Sequence, residues 1–386
     1  MIETAEPTKV IKFRLTRYPV ILGCDPEIFI RNKDTGMIVG SEKVLSDGGG
    51  AVVGDSGSAV VGDGVQVELH PNPSPCRATL GNSIQYCFIA LREQLKTSPN
   101  MIVDISRVVE VDRLDLSQLD EKSRILGCMP SSNAYGRESI KIDPSTNIRT
   151  GAGHIHIGLP PDYKRHFSAA DLTKVMDILV GNTCVLLDRD PSSAIRRRMY
   201  GRAGEFRTPT HGVEYRTLSN FWLHSYPLMS LVMGLTRIAV NLAATGAKEL
   251  TDALSSTVWG NDIETDYLAH KRQIITTTWH AAKDELFRTI DPEFVEETIN
   301  ENDFDAAYTT FCKAVSPFLR QLYFGYGLDC ELIDFFHHFV KRINANGMEY
   351  WFPDDPLTHW CSRNGYGSGW ESFCWDTIAG DMAREG

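Results

Sequence analysis

"GCDPEIFIRN", Gly23 to Asn32, sets two carboxylates and a proline inside an apolar run. The length predicts one short strand. In an extended chain alternate side chains share a face, so Asp25, Glu27 and Phe29 fall together while Cys24, Ile28 and Ile30 fall opposite. Pro26 suits a sheet edge, because it has no N–H to donate to a ladder. An acidic strand face is either wetted or built to hold something.

Three further stretches repeat the pattern. In "GVQVELHPNP", Gly64 to Pro73, the residues Gln66, Glu68 and His70 alternate with Val65, Val67 and Leu69. In "GAGHIHIGLP", His154 and His156 alternate with Ile155 and Ile157; in "HGVEYRTLSN", Glu214 and Arg216 alternate with Val213, Tyr215 and Thr217. Strands that merely face water usually carry Thr, Ser and Lys. These carry Asp, Glu and His, the residues that bind divalent metals. Oxygen-rich sets with a minority of imidazole suit magnesium or manganese, which normally clamp the phosphates of a nucleotide. Between the last two stretches lies "IRRRMYGRAGEFRTPTHGVEYR", with Arg196, Arg197, Arg198, Arg202, Arg207 and Arg216. Arginine gives fixed, bidentate contacts with phosphate, and Gly201 and Gly204 predict a loop folded close over something rather than a helix face.

Composition narrows the classes. The chain has 386 residues, 42% apolar and 23% charged, which fits a globular protein with room for a large core. A formal net charge of -11 argues against a phosphate-tracking nucleic-acid surface and leaves only local basic pockets. The nine cysteines include no CxxC pair and sit in apolar contexts, so buried, reduced thiols and a cytoplasmic protein are expected. The opening "MIETAEPTKVIKF" carries no apolar export segment, and no later run is expected to reach bilayer-spanning length. Neither a Walker A loop nor a GxGxxG fingerprint occurs, so a nucleotide would bind by other means.

The periodicity predicts an α+β protein: a mixed α and β part to about residue 222, then a mostly helical part over 223–386. One helix places Leu80, Ile84, Cys87, Leu91 and Leu95 on a single stripe. A second opens at Ser168 with Asp171 three residues on, a capping-box pattern, and buries Leu172, Val175, Met176 and Leu179. The near-repeat "AVVGDSGS", "AVVGDGVQ" from Ala51 predicts a hairpin with similar arms. Helical text continues in "LMSLVMGLTRIAVNLAATG", "LAHKRQIITTTWHAAKDELF" and "LIDFFHHFVKRI", before an aromatic, Gly-rich tail at "WCSRNGYGSGWESFCW".

Taken in order, "GCDPEIFI", "VELHPNP", "GAGHIHIG", "YGRAGEFR" and "GVEYRTLSNFW" resemble the type 2 carboxylate-amine ligases of bacteriophages, in the glutamine synthetase and glutamate-cysteine ligase superfamily. The resemblance covers roughly Gly23 to Trp222. It implies a glutamine-synthetase-like curved antiparallel sheet forming an active-site funnel, backed by helices, with the helical part completing the same catalytic unit. Carried over, the metal ligands are Asp25, Glu27, Glu68, His154 or His156, and Glu214, with His156 otherwise at the nucleotide. The first acid is Asp where relatives often have Glu. Relatives also have an acid shortly before the position of Glu68; Asp63 is nearest, but its parity puts it on the opposite face unless Gly64 makes a bulge. Arg207 and Arg216 match arginines that hold ATP phosphates or the acyl phosphate, with Arg197 and Arg202 assisting and Glu68 also at the reacting centre.

The implied activity is ATP-dependent amide formation between an amino-acid or peptide carboxylate and an amine, with Mg2+ or Mn2+. It would run in the host bacterial cytoplasm, away from nucleic acid and membrane, with room for an oligomer. Rival classes are a guanidino-type kinase on the same fold, a two-metal hydrolase, and a non-catalytic phage protein that kept the fold.

Overall fold

The computed structural model describes residues 18–45, 52–53, 57–112, 116–117, 131–141, 143, 146–244, 282–316 and 352–362. The segments "LIDFFHHFVKRI" and nearly all of the aromatic tail lie outside them. Gly23–Asn32 is two strands, not one: β1 (Ile21–Cys24) and β2 (Glu27–Asn32) belong to different sheets. The break falls at Asp25–Pro26. Proline cannot donate, and the chain resumes pairing at Glu27, whose N–H donates to Ala152 O at 2.8 Å.

Eleven further strands follow: β3 (Ile38–Val39), β4 (Val52–Val53), β5 (Ala59–Asp63), β6 (Gln66–His70), β7 (Met101–Asp104), β8 (Val108–Glu110), β9 (Ser132–Asn133), β10 (Ile148–Thr150), β11 (Ile155–Gly158), β12 (Glu205–Arg207) and β13 (Gly212–Tyr215). Every named pairing among them is antiparallel. One sheet runs β1-β11-β13-β12-β9; a second runs β3-β2-β6-β5-β4 with β7 also on β2; β8 and β10 form a ribbon. The α+β class therefore holds. The predicted repeat hairpin is present, with Val52 opposite Val60 and Val53 opposite Ala59.

Between β5 and β6 a two-residue turn, Gly64–Val65, sets Asp63 directly opposite Gln66. Gly64 has φ +60°, the left-handed first turn position that favours glycine in such hairpins. This corrects the parity argument for Asp63. Parity counts along one strand, whereas the hairpin folds Asp63 back onto the face that carries Gln66 and Glu68.

Helices cover the apolar faces of the sheets. Helix α1 (Arg77–Leu95) buries Leu80, Ile84, Cys87, Leu91 and Leu95, the predicted stripe. Helix α2 (Ala169–Met176) is capped by Ser168, whose Oγ accepts from Asp171 N at 2.9 Å. It runs through a π turn, Asp177–Gly181, into α3 (Asn182–Val185), and buries Leu172, Val175, Met176 and Leu179 as expected. The extra residue of the π turn turns Asp177 into the core, where its carboxylate accepts from Tyr215 Oη at 2.6 Å and Tyr135 Oη at 3.0 Å. Helix α4 (Ser192–Met199) carries Arg196 to Arg198, so this part of the arginine run is helical after all, and the loop begins at Tyr200.

Helix α5 (Tyr226–Ala244) is followed, among the described residues, by α6 (Ala282–Thr289), α7 (Pro292–Glu301), α8 (Phe304–Thr310) and α9 (Pro356–Cys361). One cluster of buried side chains joins Leu22, Ile28, Val67, Ile155, Val213 and Tyr215 of the sheets to Ile84 and Phe88 of α1, Met229 and Val232 of α5, and Val295 of α7. Helix α5 has the length and apolar composition to cross a membrane, contrary to the expectation from sequence, but it is buried among these neighbours. The cysteines also correct an expectation. Cys24, Cys87, Cys184 and Cys361 are buried free thiols, whereas Cys76 and Cys312 are exposed.

Candidate active site

Antiparallel register places Gly23 opposite His156, His156 opposite Glu214, and Glu214 opposite Arg207, one row across four strands. Asp25 leaves the end of β1 beside this row. Its Oδ2 lies 2.9 Å from His156 Nε2 and its Oδ1 lies 3.3 Å from His154 Nδ1. His154 Nδ1 is also 3.6 Å from Glu214 Oε1. Arg207 holds Glu214 in a bidentate grip, Nε to Oε2 at 2.8 Å and Nη2 to Oε1 at 2.6 Å. Arg216 Nε stands 3.6 Å from the same carboxylate, and Arg216 Nη2 donates to Tyr200 Oη. His156 Nδ1 is 3.0 Å from His211 Nε2. Acids and histidines on or next to β1, β11 and β13 thus meet two arginines on one polar face, while Cys24, Ile155, Ile157, Val213 and Tyr215 pack the other into the core.

Burial works to raise the Asp25 carboxyl, but the imidazoles of His154 and His156 outweigh it and hold the group well below the ordinary carboxylate range. Burial likewise pushes His156 down, and the Asp25 carboxylate 2.9 Å from its Nε2 more than reverses that, so its pKa is raised. His211 is lowered by burial and by the neighbouring His156. Ligand atoms of Asp25, His156 and Glu214 all lie within 4.8 Å of one another. Asp25 Oδ1 and His156 Nε2 are shut off from solvent without a well-formed hydrogen bond. Buried polar atoms are normally satisfied, and a cation between them would satisfy both. Two carboxylates and one imidazole match a magnesium or manganese donor set, so the residues fit such an ion.

Glu27 and Glu68 are reached through the second sheet, where they are direct cross-strand partners. Glu27 Oε2 accepts from Ala152 N at 2.9 Å and from Gln66 Nε2 at 3.4 Å. Burial above all, opposed by the Ala152 bond and reinforced by the Glu68, Asp63 and Asp25 charges, pushes Glu27 up to about 8. Glu68 instead meets His70, Oε2 to Nε2 at 3.1 Å. A cavity of about 890 Å³ opens beside this group, lined by Asp25, Glu68, His70, His156 and His211 together with Val20, Ile21, Leu159 and several prolines. That size is ordinary for a small-molecule site.

The arginine run divides. Only Arg207 and Arg216 reach the acidic face. Arg196 donates to the backbone oxygens of Gly151, Thr217 and Leu218 at 3.0, 2.9 and 2.8 Å, an internal staple. Arg197, expected at a nucleotide phosphate, is buried with Nη1 on Asn302 Oδ1 at 2.7 Å, because its place on α4 turns it toward α7 and the residues after it. Arg202, also expected to assist Arg207 and Arg216 at the phosphates, donates to Glu138 O. Gly201 and Gly204 have φ of +69° and +81°, and the loop they form does fold closely, over Arg196 and Tyr135. Of the two histidines left open as metal ligands, His156 joins the close trio, while His154 stands behind it against Tyr200. Sequence reasoning missed Tyr200, His211 and Asp177. Tyr200 caps a helix and His211 precedes a strand, so neither belongs to an alternating run, and Asp177 reads as the polar side of α2 until the π turn rotates it inward.

A family model described as Phage phiEco32-like COOH.NH2 ligase-type 2 matches residues 143–304. The matched stretch contains His154, His156, Arg207, His211, Glu214 and Arg216, whereas Asp25, Glu27 and Glu68 precede it. This supports an enzyme of the carboxylate-amine ligase kind. No curated protein matches the chain.

Proposed function

We propose that this protein is an ATP-dependent carboxylate-amine ligase that forms an amide through an acyl phosphate. The observation that carries the reading is the meeting of Asp25, His156 and Glu214 within 4.8 Å, beside Arg207 and Arg216. A carboxylate is a poor acyl donor, since its leaving group would be an oxide. One of its oxygens would therefore attack the γ-phosphorus of ATP, with ADP leaving. The amine then attacks the acyl carbon, phosphate leaves, and the nitrogen loses a proton. Arg207 and Arg216 would donate hydrogen bonds to the phosphoryl oxygens, where charge develops. Magnesium or manganese, held by Asp25, His156 and Glu214 with Glu27 and Glu68 nearby, would neutralise phosphate charge. Strands position these groups more firmly than loops do. The paired sheets would form the walls of a funnel, with residues 1–222 supplying the catalytic groups and residues 223–386 completing the unit. An amino-acid or peptide carboxylate and an amine would be the partners, in the host bacterial cytoplasm.

The test is hydroxylamine trapping with ATP and Mg2+ across a panel of amino acids and short peptides. A hydroxamate that forms only with ATP, metal and one class of acid is expected. Absence of hydroxamate and of ADP release with every acid would overturn the reading, and ADP release with a phosphorylated amine would instead identify a guanidino-type kinase.

A further inference from the structure

Strand β2 loses one neighbour at its acidic end. β7 pairs with β2 from Asn32 back to Phe29, which lies opposite Asp104, and the chain then leaves through Ser106. Glu27 therefore has β6 on one side and, among the described residues, no strand on the other. Two residues fill that side. Ala152 O accepts the Glu27 N–H at 2.8 Å, and Asn220 Nδ2 donates both to Glu27 O at 2.9 Å and to Ser106 O at 3.1 Å. One amide thus spans the fork between β2 and the chain leaving β7. Both groups it faces are carbonyl oxygens, which only accept, so the NH2 end must point at them and the amide has one orientation. Asn220 is 0% exposed, and its Oδ1 has no hydrogen-bond partner among the described residues, so its side-chain bonding is spent wholly on these two oxygens.

We infer that Asn220 is a positioning residue: it clamps the main chain of Glu27, so that this carboxylate of the second sheet stands at a fixed distance from Asp25, His156 and Glu214 beside the first. Ala152 completes the clamp. Its N–H donates to Glu27 Oε2 at 2.9 Å while its oxygen takes the Glu27 N–H. Glu27 is thus gripped at its N–H, its carbonyl and its carboxylate. Ala152 leads into β11 and Asn220 follows β13, so both grips come from the chain of the first sheet. A site group works only as precisely as the bonds behind it hold it. The inference rests on the metal-centred reading above only for what Glu27 does there; the clamp itself stands on hydrogen bonds.

Asn220 is itself well held. It opens a short 3-10 turn, Asn220–His224, capped by Ser219. Ser219 forms an antiparallel bridge with Ala152, and its Oγ donates to Asp188 Oδ2 at 2.7 Å. Trp222 Nε1 donates to Gly153 O at 3.2 Å. Space for the amide depends on Gly151, where a Cβ would stand 2.7 Å from Ser106 O and closer still to Asn220 Nδ2. The bare backbone at 151 and the amide at 220 fit as a pair.

The experiment is hydrogen–deuterium exchange of the metal-free full chain, resolved to the Glu27 and Ala152 amides, with the amides of α1 and α5 as the global reference. Asn220→Ser is too short to bridge both oxygens and should speed exchange at Glu27 and Ala152 by at least about tenfold relative to that reference. Gly151→Ala keeps Asn220 but pushes its amide aside, so it should do the same, and it decides the matter if Asn220→Ser fails to fold. Equal acceleration everywhere, or none at Glu27 and Ala152, would overturn the inference. Mn2+ binding, followed by electron paramagnetic resonance, tests the consequence. Asn220→Ser should weaken it by roughly tenfold, as loss of an outer hydrogen bond commonly does. Asn220→Ser combined with Glu27→Gln should bind no more weakly than Glu27→Gln alone, because the clamp acts through that carboxylate. Unchanged affinity in Asn220→Ser, or full additivity in the double variant, would overturn the positioning role. If the unaltered protein binds no Mn2+, the metal-centred reading fails, and exchange at Glu27 and Ala152 still decides the clamp.

Discussion

Replacing Asp177 by Asn should make the protein less sensitive to pH, in a direction opposite to the usual carboxylate. Asp177 is fully buried in the π turn, and burial above all pushes its carboxyl from 3.8 up to about 7, against hydrogen bonds from Tyr215, Tyr135 and the Gly204 N–H. A raised folded-state pKa means that the native protein binds this proton more tightly than the unfolded chain does. The stability it contributes is complete below the unfolded value near 4 and is lost as pH rises through the folded value near 7. A displacement from 3.8 to about 7, at about 1.4 kcal/mol for each pH unit, amounts to about 4 kcal/mol. For a chain of this size that is roughly 8 °C in melting temperature, at about 2 °C per kcal/mol. The assay is thermal unfolding of both proteins between pH 4 and pH 8.5. The melting temperature of Asp177→Asn minus that of the parent should climb by roughly this amount between pH 4 and pH 7.5, then level off. Taking the difference removes every other titrating group. Parallel curves would show that Asp177 titrates normally, and would refute the claim that the π turn buries a carboxyl at a cost.

Arg196→Met should remove at least about 3 kcal/mol of stability, since three backbone oxygens lose their donor and each buried unsatisfied group costs about 1–3 kcal/mol. Urea denaturation checks it, and a loss of activity at unchanged stability would return Arg196 to a phosphate role. Glu27→Gln keeps the shape that accepts from Ala152 while removing a charge already pushed up to about 8 by burial and acidic neighbours, so the melting temperature at pH 8 should hold or rise. Its ligase turnover should fall by about a hundredfold, as loss of one charged group at a phosphoryl-transfer site commonly costs; a variant that melts early while its folded fraction keeps full turnover would make Glu27 a structural acid.

Much of the face that matters was legible because strands write it in alternation. His156 on β11 with His154 just before it, Glu214 and Arg216 around β13, and Glu68 on β6 all stand where period two puts them, since an extended chain has little freedom to redirect a side chain. The apolar stripe of α1 and the Ser168 cap were legible for the corresponding helical reason. What parity could not reveal is which strands adjoin. Asp63 joined the acidic face through a hairpin, and the arginines separated because a helix turns successive side chains by about 100°, sending Arg196 and Arg197 to different neighbours. Tyr200 and His211 act from a helix end and a turn, where sequence spacing carries no direction.

The opening decapeptide shows why local alternation and tertiary placement answer different questions. Alternation put Asp25 and Glu27 on one face of one strand. Pro26 interrupts the pairing and parts the two acids, leaving Asp25 just past the end of β1 against His154 and His156 and placing Glu27 on β2 opposite Glu68 of β6. Had the strand continued straight, both carboxylates would have pointed from a single ladder about 7 Å apart. Split between two sheets, they take opposite electrostatic characters. Two imidazoles hold Asp25 as a carboxylate, while burial and three acidic neighbours push Glu27 toward its protonated form. A divalent cation entering beside them would find one acid already charged and would gain the second by displacing its proton, so cation binding should release a proton near neutral pH. The Asp25–Pro26 step that parts one sheet from the next therefore does more than turn the chain: it gives two acids separated by one residue different states at the same pH.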